Sequence, residues 1–96
     1  MDNMKVYLLG IKKRYGDYSI VTILWDNVYL GIITEIGQRV EIELKGKQKS
    51  FVVENMKSAI KFITDDLKSI LANPAEVYYK EIEVNMLDKD TFEEVK

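Results

Sequence analysis

Cysteine and histidine are both absent from these 96 residues, and there is a single proline. Without cysteine there is no disulfide, no thiolate nucleophile and no thiolate metal site. Without histidine the usual general base near neutral pH and the commonest metal ligand are missing, so histidine triads and Cys/His zinc sites are excluded. Long apolar runs are lacking too. A membrane-spanning helix needs roughly 20 apolar residues, and the two richest stretches, IVTILW and VYLGII, are split by Asp26 and Asn27. The apolar part of the N-terminal stretch is too short for a signal peptide and is followed by charge. These absences lead to the expectation of a cytoplasmic protein that is not an enzyme, uses no cofactor and no metal, and meets no membrane.

What is present describes a folded chain. Hydrophobic residues make up 47% and charged residues 31%, with a formal net charge of −2. Disorder needs fewer aliphatics and more net charge. The length suits one domain with one modest core. Residues 1–87 are expected to form a single α+β domain, and 88–96 a short acidic tail or terminal helical turn.

The hydrophobic periodicity changes once along the chain. Residues 5–12, 18–25, 28–35, 39–44 and 50–54 read as strands, rich in β-branched and aromatic residues. Turn signals separate them: Arg14 to Asp17, the pair Asp26-Asn27, Gly37, and Lys45-Gly46-Lys47. Met56, Ile60, Ile63, Leu67 and Ile70 then recur at helical spacing, with Asn55 placed to cap the helix and Asn73-Pro74 to stop it. Residues 76–86 alternate as a last strand, and Lys80 among its apolar positions marks it as an edge. The expected architecture is a mainly antiparallel, strongly curved sheet, a β1–β5 meander, with one amphipathic helix (about 56–72) packed on it and a final edge strand.

Strands two and three are apolar on both sides. Ile20, Thr22 and Leu24 alternate with Val21, Ile23 and Trp25; Val28, Leu30, Ile32 and Ile36 oppose Tyr29 and Ile33. A sheet that meets water on one side alternates polar and apolar, as RVEIEL does. One helix of about 17 residues, roughly 25 Å long, covers one such face. The second face has three possible fates: closure of the sheet on itself, helped by bends at Gly10, Gly31 and Gly37; pairing with a second copy; or contact with another protein.

Charge is unevenly distributed. Residues 76–96 hold seven Asp/Glu against three Lys/Arg. Glu81, Glu83, Asp88, Asp90, Glu93 and Glu94 are therefore the candidate protein-binding residues, suited to a basic partner surface. An alternative site for nucleic acid combines Lys12, Lys13, Arg14, Lys45, Lys47 and Lys49, with Tyr15 as a stacking platform. Against it, the first and fourth turns of a meander fall at opposite ends, and the overall charge is negative.

The spelling LDKDT at 87–91 resembles the nucleophile motif of haloacid-dehalogenase-type phosphatases. Only five residues follow Thr91, so the parallel βα units that would complete such a site are not expected. Thr91-x-x-Glu94 fits a capping box instead. The order of elements from RVEIEL through NMKSAIKFITDDLKSIL to EVYYKEIEVNMLDKD resembles small anti-CRISPR proteins of phages and mobile elements. That resemblance implies an inhibitor that occupies the nucleic-acid-binding groove of a host defence nuclease. The expected function is a non-enzymatic protein-binding module acting through an acidic or sheet-face surface. The alternatives are a nucleic-acid-binding regulator and a structural homodimer.

Overall fold

The computed structural model describes residues 4–84. Their elements are β1 (Met4–Tyr15), β2 (Tyr18–Trp25), β3 (Val28–Ile36), β4 (Arg39–Leu44), β5 (Ser50–Val53), α1 (Met56–Ile70) and β6 (Ala75–Val84). The fold is α+β, with six strands in one sheet in the order β5-β4-β3-β2-β1-β6 and the helix packed on one face. Strands β1 to β5 form the antiparallel meander, and β6 returns to pair parallel with β1. The sheet is open, with β5 and β6 as its edges. Of the three fates open to the second apolar face, closure of the sheet on itself is thus not the one taken, and no described element covers the face opposite the helix.

The three glycines have different local roles. Gly37 serves a turn, at φ +59°. Gly10 and Gly31 instead sit in crowded strand positions. A Cβ on Gly10 would collide with the phenol of Tyr79, and one on Gly31 would lie 2.5 Å from the carbonyl oxygen of Glu43. Their missing side chains permit close approach within the ladder, the second common use of strand glycine.

Each hairpin is set by its turn. Asp26 and Asn27 both have positive φ, 52° and 65°, the signature of a two-residue type I′ turn whose twist matches that of the flanking strands. Gly16, at φ +66°, lets the first turn form after Tyr15. Strand β1 therefore runs on through Lys12 to Tyr15, past the point where the turn signal at Arg14 ends it in the sequence. A bulge between Ile23 and Leu24 shifts the β2–β3 register so that Leu24 faces Tyr29 and Leu30 is skipped. A one-residue slip reverses the facing of every residue beyond it. Leu30 thus joins Ile33 on the helix side, and Tyr29 moves to the side of Ile32 and Ile36, correcting the grouping read from simple alternation.

Asn55 caps α1 as expected, its side-chain oxygen accepting from the Ser58 amide at 2.8 Å. The helix buries Ala59, Ile63 and Leu67. Ile70, expected in that stripe, is 72% exposed. The buried stripe therefore runs Ala59, Ile63, Leu67, and the small side chain of Ala59 lets the helix approach closely at its N-terminal end. The helix lies nearest β4 and β5. Its side chains complete a core with Val6, Leu8, Val21, Ile23, Ile33, Val40, Ile42 and Leu44. Trp25, Val77 and Tyr79 flank that core on the β1–β6 side, where the helix reaches less. After Leu71, which ends the helix with extended backbone, Pro74 offers its carbonyl to the Met4 amide at 3.0 Å, and β6 starts there.

Candidate functional site

Cross-strand pairs define the uncovered face. One row runs Val84, Lys13, Ile20, Thr34, Glu41, Val52; the next runs Ile82, Ile11, Thr22, Ile32, Glu43, Ser50. Further rows carry Lys80, Leu9, Leu24 and Tyr29, then Tyr78 with Tyr7. Beyond Lys13 lies the row Tyr15, Tyr18, Ile36, Arg39. The centre of this face, over β1, β2 and β3, is apolar and no described element covers it. Tyr7 is 62% exposed, and Tyr18, Tyr29, Ile36, Val52, Tyr78 and Ile82 are exposed as well. Tyr7 stacks on Tyr78 with ring centroids 5.2 Å apart, and Tyr15 on Tyr18 at the same spacing. Such stacks fix the two ring pairs against each other on the open side.

The opposite face changes character past the end of the core. Lys12, Arg14, Ser19, Glu35, Glu81 and Glu83 share the helix side in the cross-strand register. Glu35 accepts from the buried Ser19 hydroxyl at 3.2 Å and pairs with Lys12 at 3.4 Å. Arg14 pairs with Glu83 at 3.0 Å. These groups satisfy one another and carry little surplus charge to offer a ligand.

Both candidate charge sets are partly dispersed by this arrangement. Lys12 and Arg14 point to the helix side, Lys13 and Tyr15 to the open side. Lys12 and Arg14 are neutralised as described, and Tyr15 already stacks on Tyr18. Lys45, Lys47 and Lys49 lie after β4, at the other end of the sheet from the β1–β2 turn. Lys47 is 3.5 Å from Asp66, and the Lys49 ammonium sits 6.0 Å from the Phe51 ring centroid. The two basic groups are thus not brought together. Of the acidic set, Glu83 engages Arg14, and Glu81 accepts from the Tyr79 hydroxyl at 2.8 Å. Asp88, Asp90, Glu93 and Glu94, and the capping box of the terminal segment, lie outside the described residues.

Two tyrosines have raised pKa values. Burial is the main cause at Tyr79, whose ring covers Gly10, with the hydrogen bond to Glu81 acting in the same direction. At Tyr78 the cause is the hydrogen bond to Glu76, 2.7 Å long, with the charge of that carboxylate adding to it. Both phenols are therefore neutral donors at physiological pH. Among the described residues no group of three or more Asp or Glu converges to hold a metal ion, and no helix is long and apolar enough to cross a membrane.

Comparison of the chain with protein-family models, with curated proteins and with solved structures finds no match. The open-face residues that clusters of charge do not point to are Tyr7, Leu9, Ile11, Tyr78 and Ile82. Their signal lies in the sequence all the same: VYLLGI, like IVTILW, is apolar at both parities.

Proposed function

We propose that this chain is a small protein-binding module, without a reaction of its own, that works through the open face of its sheet. One observation carries the reading: a contiguous apolar and aromatic surface spans the central strands with no described element over it. The apolar part lies over β1, β2 and β3, and three strands about 4.8 Å wide and about eight residues long at about 3.4 Å each outline roughly 390 Å². The largest apolar patch on an ordinary monomer is about 300–600 Å² and is itself often functional. In its finer form, following the resemblance in layout, the partner is a host defence nuclease. The sheet face is preferred to the acidic surface for that contact because Glu81 and Glu83 already have partners within the fold. It is preferred to direct nucleic-acid binding because the basic residues are split between two faces and two ends.

The test is capture from the native host. A specific partner retained by the unaltered chain should be lost by Tyr7→Ser and by Ile82→Lys, both at exposed positions. It should be kept by Arg14→Gln, which alters only the polar end. Capture that survives both open-face substitutions would refute the reading.

A further inference from the structure

The charges bordering the apolar face are arranged with a polarity that selects a particular occupant. On the β1–β6 side the open face carries Lys5, Lys13 and Lys80, with Glu76 as the one acid, a net of 3 − 1 = +2. On the β4–β5 side it carries Glu41 and Glu43, with Arg39 as the one base, a net of 1 − 2 = −1. Between them, over β2 and β3, the surface is apolar. A basic border, an apolar centre and an acidic border make a surface complementary to itself after a half-turn about its own long direction.

We infer that the occupant of the open face is a second copy of this chain, docked about a two-fold axis that runs along the strands. This rests on the reading of the face as a protein-binding surface and puts a second copy on it in place of the nuclease. The axis passes between β2 and β3, the midpoint of the strand order. It lays β2 over β3 of the second copy, β1 over β4 and β6 over β5. Lys13 shares its cross-strand row with Ile20, Thr34 and Glu41, so the rotation brings Lys13 to Glu41 of the second copy, twice per dimer, where it shares that carboxylate with Arg39, paired to Glu41 at 2.9 Å within its own chain.

The other face-to-face two-fold, perpendicular to the strands, sets β1 on β1 and β4 on β4. Lysines would then meet lysines and Glu41 and Glu43 would meet their own copies, which disfavours it. An axis inclined by about 15° to the strands would set the two sheets at about −30°, the usual angle of aligned sheet packing. With its charged borders included, the whole face of six strands, four to twelve residues long, outlines about 800 Å² per copy, the area per partner of a standard stable interface. The isologous contact uses one patch on both copies, as the commonest homodimers do.

Sedimentation and light scattering across roughly 1–100 μM, the range in which interfaces of this size are populated, read the result. The expected outcome is a dimer whose dissociation constant rises about ten-fold or more in Ile82→Lys and in Lys13→Glu. The doubly exchanged chain Lys13→Glu/Glu41→Lys should return to near the original value. So should an equimolar mixture of Lys13→Glu and Glu41→Lys chains, in which every pair is again opposite in sign. Circular dichroism on each variant checks that the fold is kept. A monomer at 100 μM overturns the inference, whether residues 85–96 or a different protein then cover the face. A dimer that Lys13→Glu weakens but the double exchange fails to restore overturns the axis. If a monomer's host capture still depends on Tyr7 and Ile82, only the second-copy inference falls. If neither self-association nor capture responds to those substitutions, the face reading falls with it.

Discussion

Replacing Gly10 by alanine asks whether the β1–β6 half of the core is built around one tyrosine. An ideal Cβ at Gly10 falls 2.8 Å from Cζ of Tyr79 and nearer still to its hydroxyl oxygen. Favourable carbon contacts begin near about 3.5 Å, so the ring must retreat by more than about 0.7 Å, the still closer hydroxyl setting the larger shift, or swing out and uncover Leu8 and Trp25. Overpacking of this kind costs about 1–3 kcal/mol, while losing a strand glycine returns about 0.5–1 kcal/mol. The net expected cost is about 1–2 kcal/mol. Truncating Tyr79 to alanine removes a ring that is only half buried, so the loss should be about 2 kcal/mol, below the 3–5 of a fully buried aromatic. Independent effects would sum to about 3–4 kcal/mol. If the clash is the mechanism, it vanishes with the ring, and the double variant costs no more than about 2 kcal/mol. Urea unfolding followed by the fluorescence of Trp25, the single tryptophan, and by far-UV circular dichroism measures all three. Costs that add within about 0.5 kcal/mol would refute the reasoning.

Other perturbations probe separate links. Gly31→Ala should be costlier than Gly10→Ala, about 3 kcal/mol, because the obstacle is the Glu43 carbonyl of the neighbouring strand and backbone cannot swing aside; a loss below about 1 kcal/mol in the same urea assay would contradict this. Asn55→Ala should cost about 1 kcal/mol by removing the cap to Ser58, while Asn55→Asp should be neutral or stabilising, as the first helical turn holds no acid. Asn27→Gly should stabilise by a few tenths of a kcal/mol and Asn27→Val should destabilise by about 1, since position 27 has positive φ; thermal melts of the two variants on the same side of the parent would contradict it. Tyr79, with its pKa raised above the phenol's ordinary value, favours the fold in its neutral form. That contribution is complete below about pH 10 and is lost as pH climbs beyond it, when the unfolded phenol ionises first. Tyr79→Phe should flatten the alkaline fall in stability, leaving the smaller share of Tyr78; an unchanged alkaline limb would show that Tyr79 is not its source.

Periodicity makes most of the architecture legible. The strands, the helix, the Asn55 cap and the edge position of the last strand all arise from local chemistry that acts within a few residues. The two-sided apolar character of IVTILW also announces a sheet with more greasy surface than one helix covers. What escapes depends on contacts distant in sequence. The bulge at Ile23 and Leu24 is a property of two strands together, so alternation within VYLGII assigns Leu30 and Tyr29 to the wrong faces. Gly10 looks like a bend because its real partner, Tyr79, is 69 positions away. Clusters of like charge are easy to see and misleading as patches, since neighbours in a strand point to opposite sides. Lys12 and Lys13 never share a surface.

The parallel pairing of β6 with β1 also has a consequence in time. Every registered pair between them is 71 positions apart, as 75 − 4 for Met4 and Ala75. At about 5–20 residues per second on the ribosome, β1 emerges some 4–14 s before its outer neighbour exists. The meander of β1 to β5 is built from short-range hairpins and forms within that interval, whereas loop closure to β6 waits for the helix to be made. For those seconds the nascent chain displays the bare rim of β1 beside an uncovered apolar face. A growing polypeptide in this state is a natural client for chaperones.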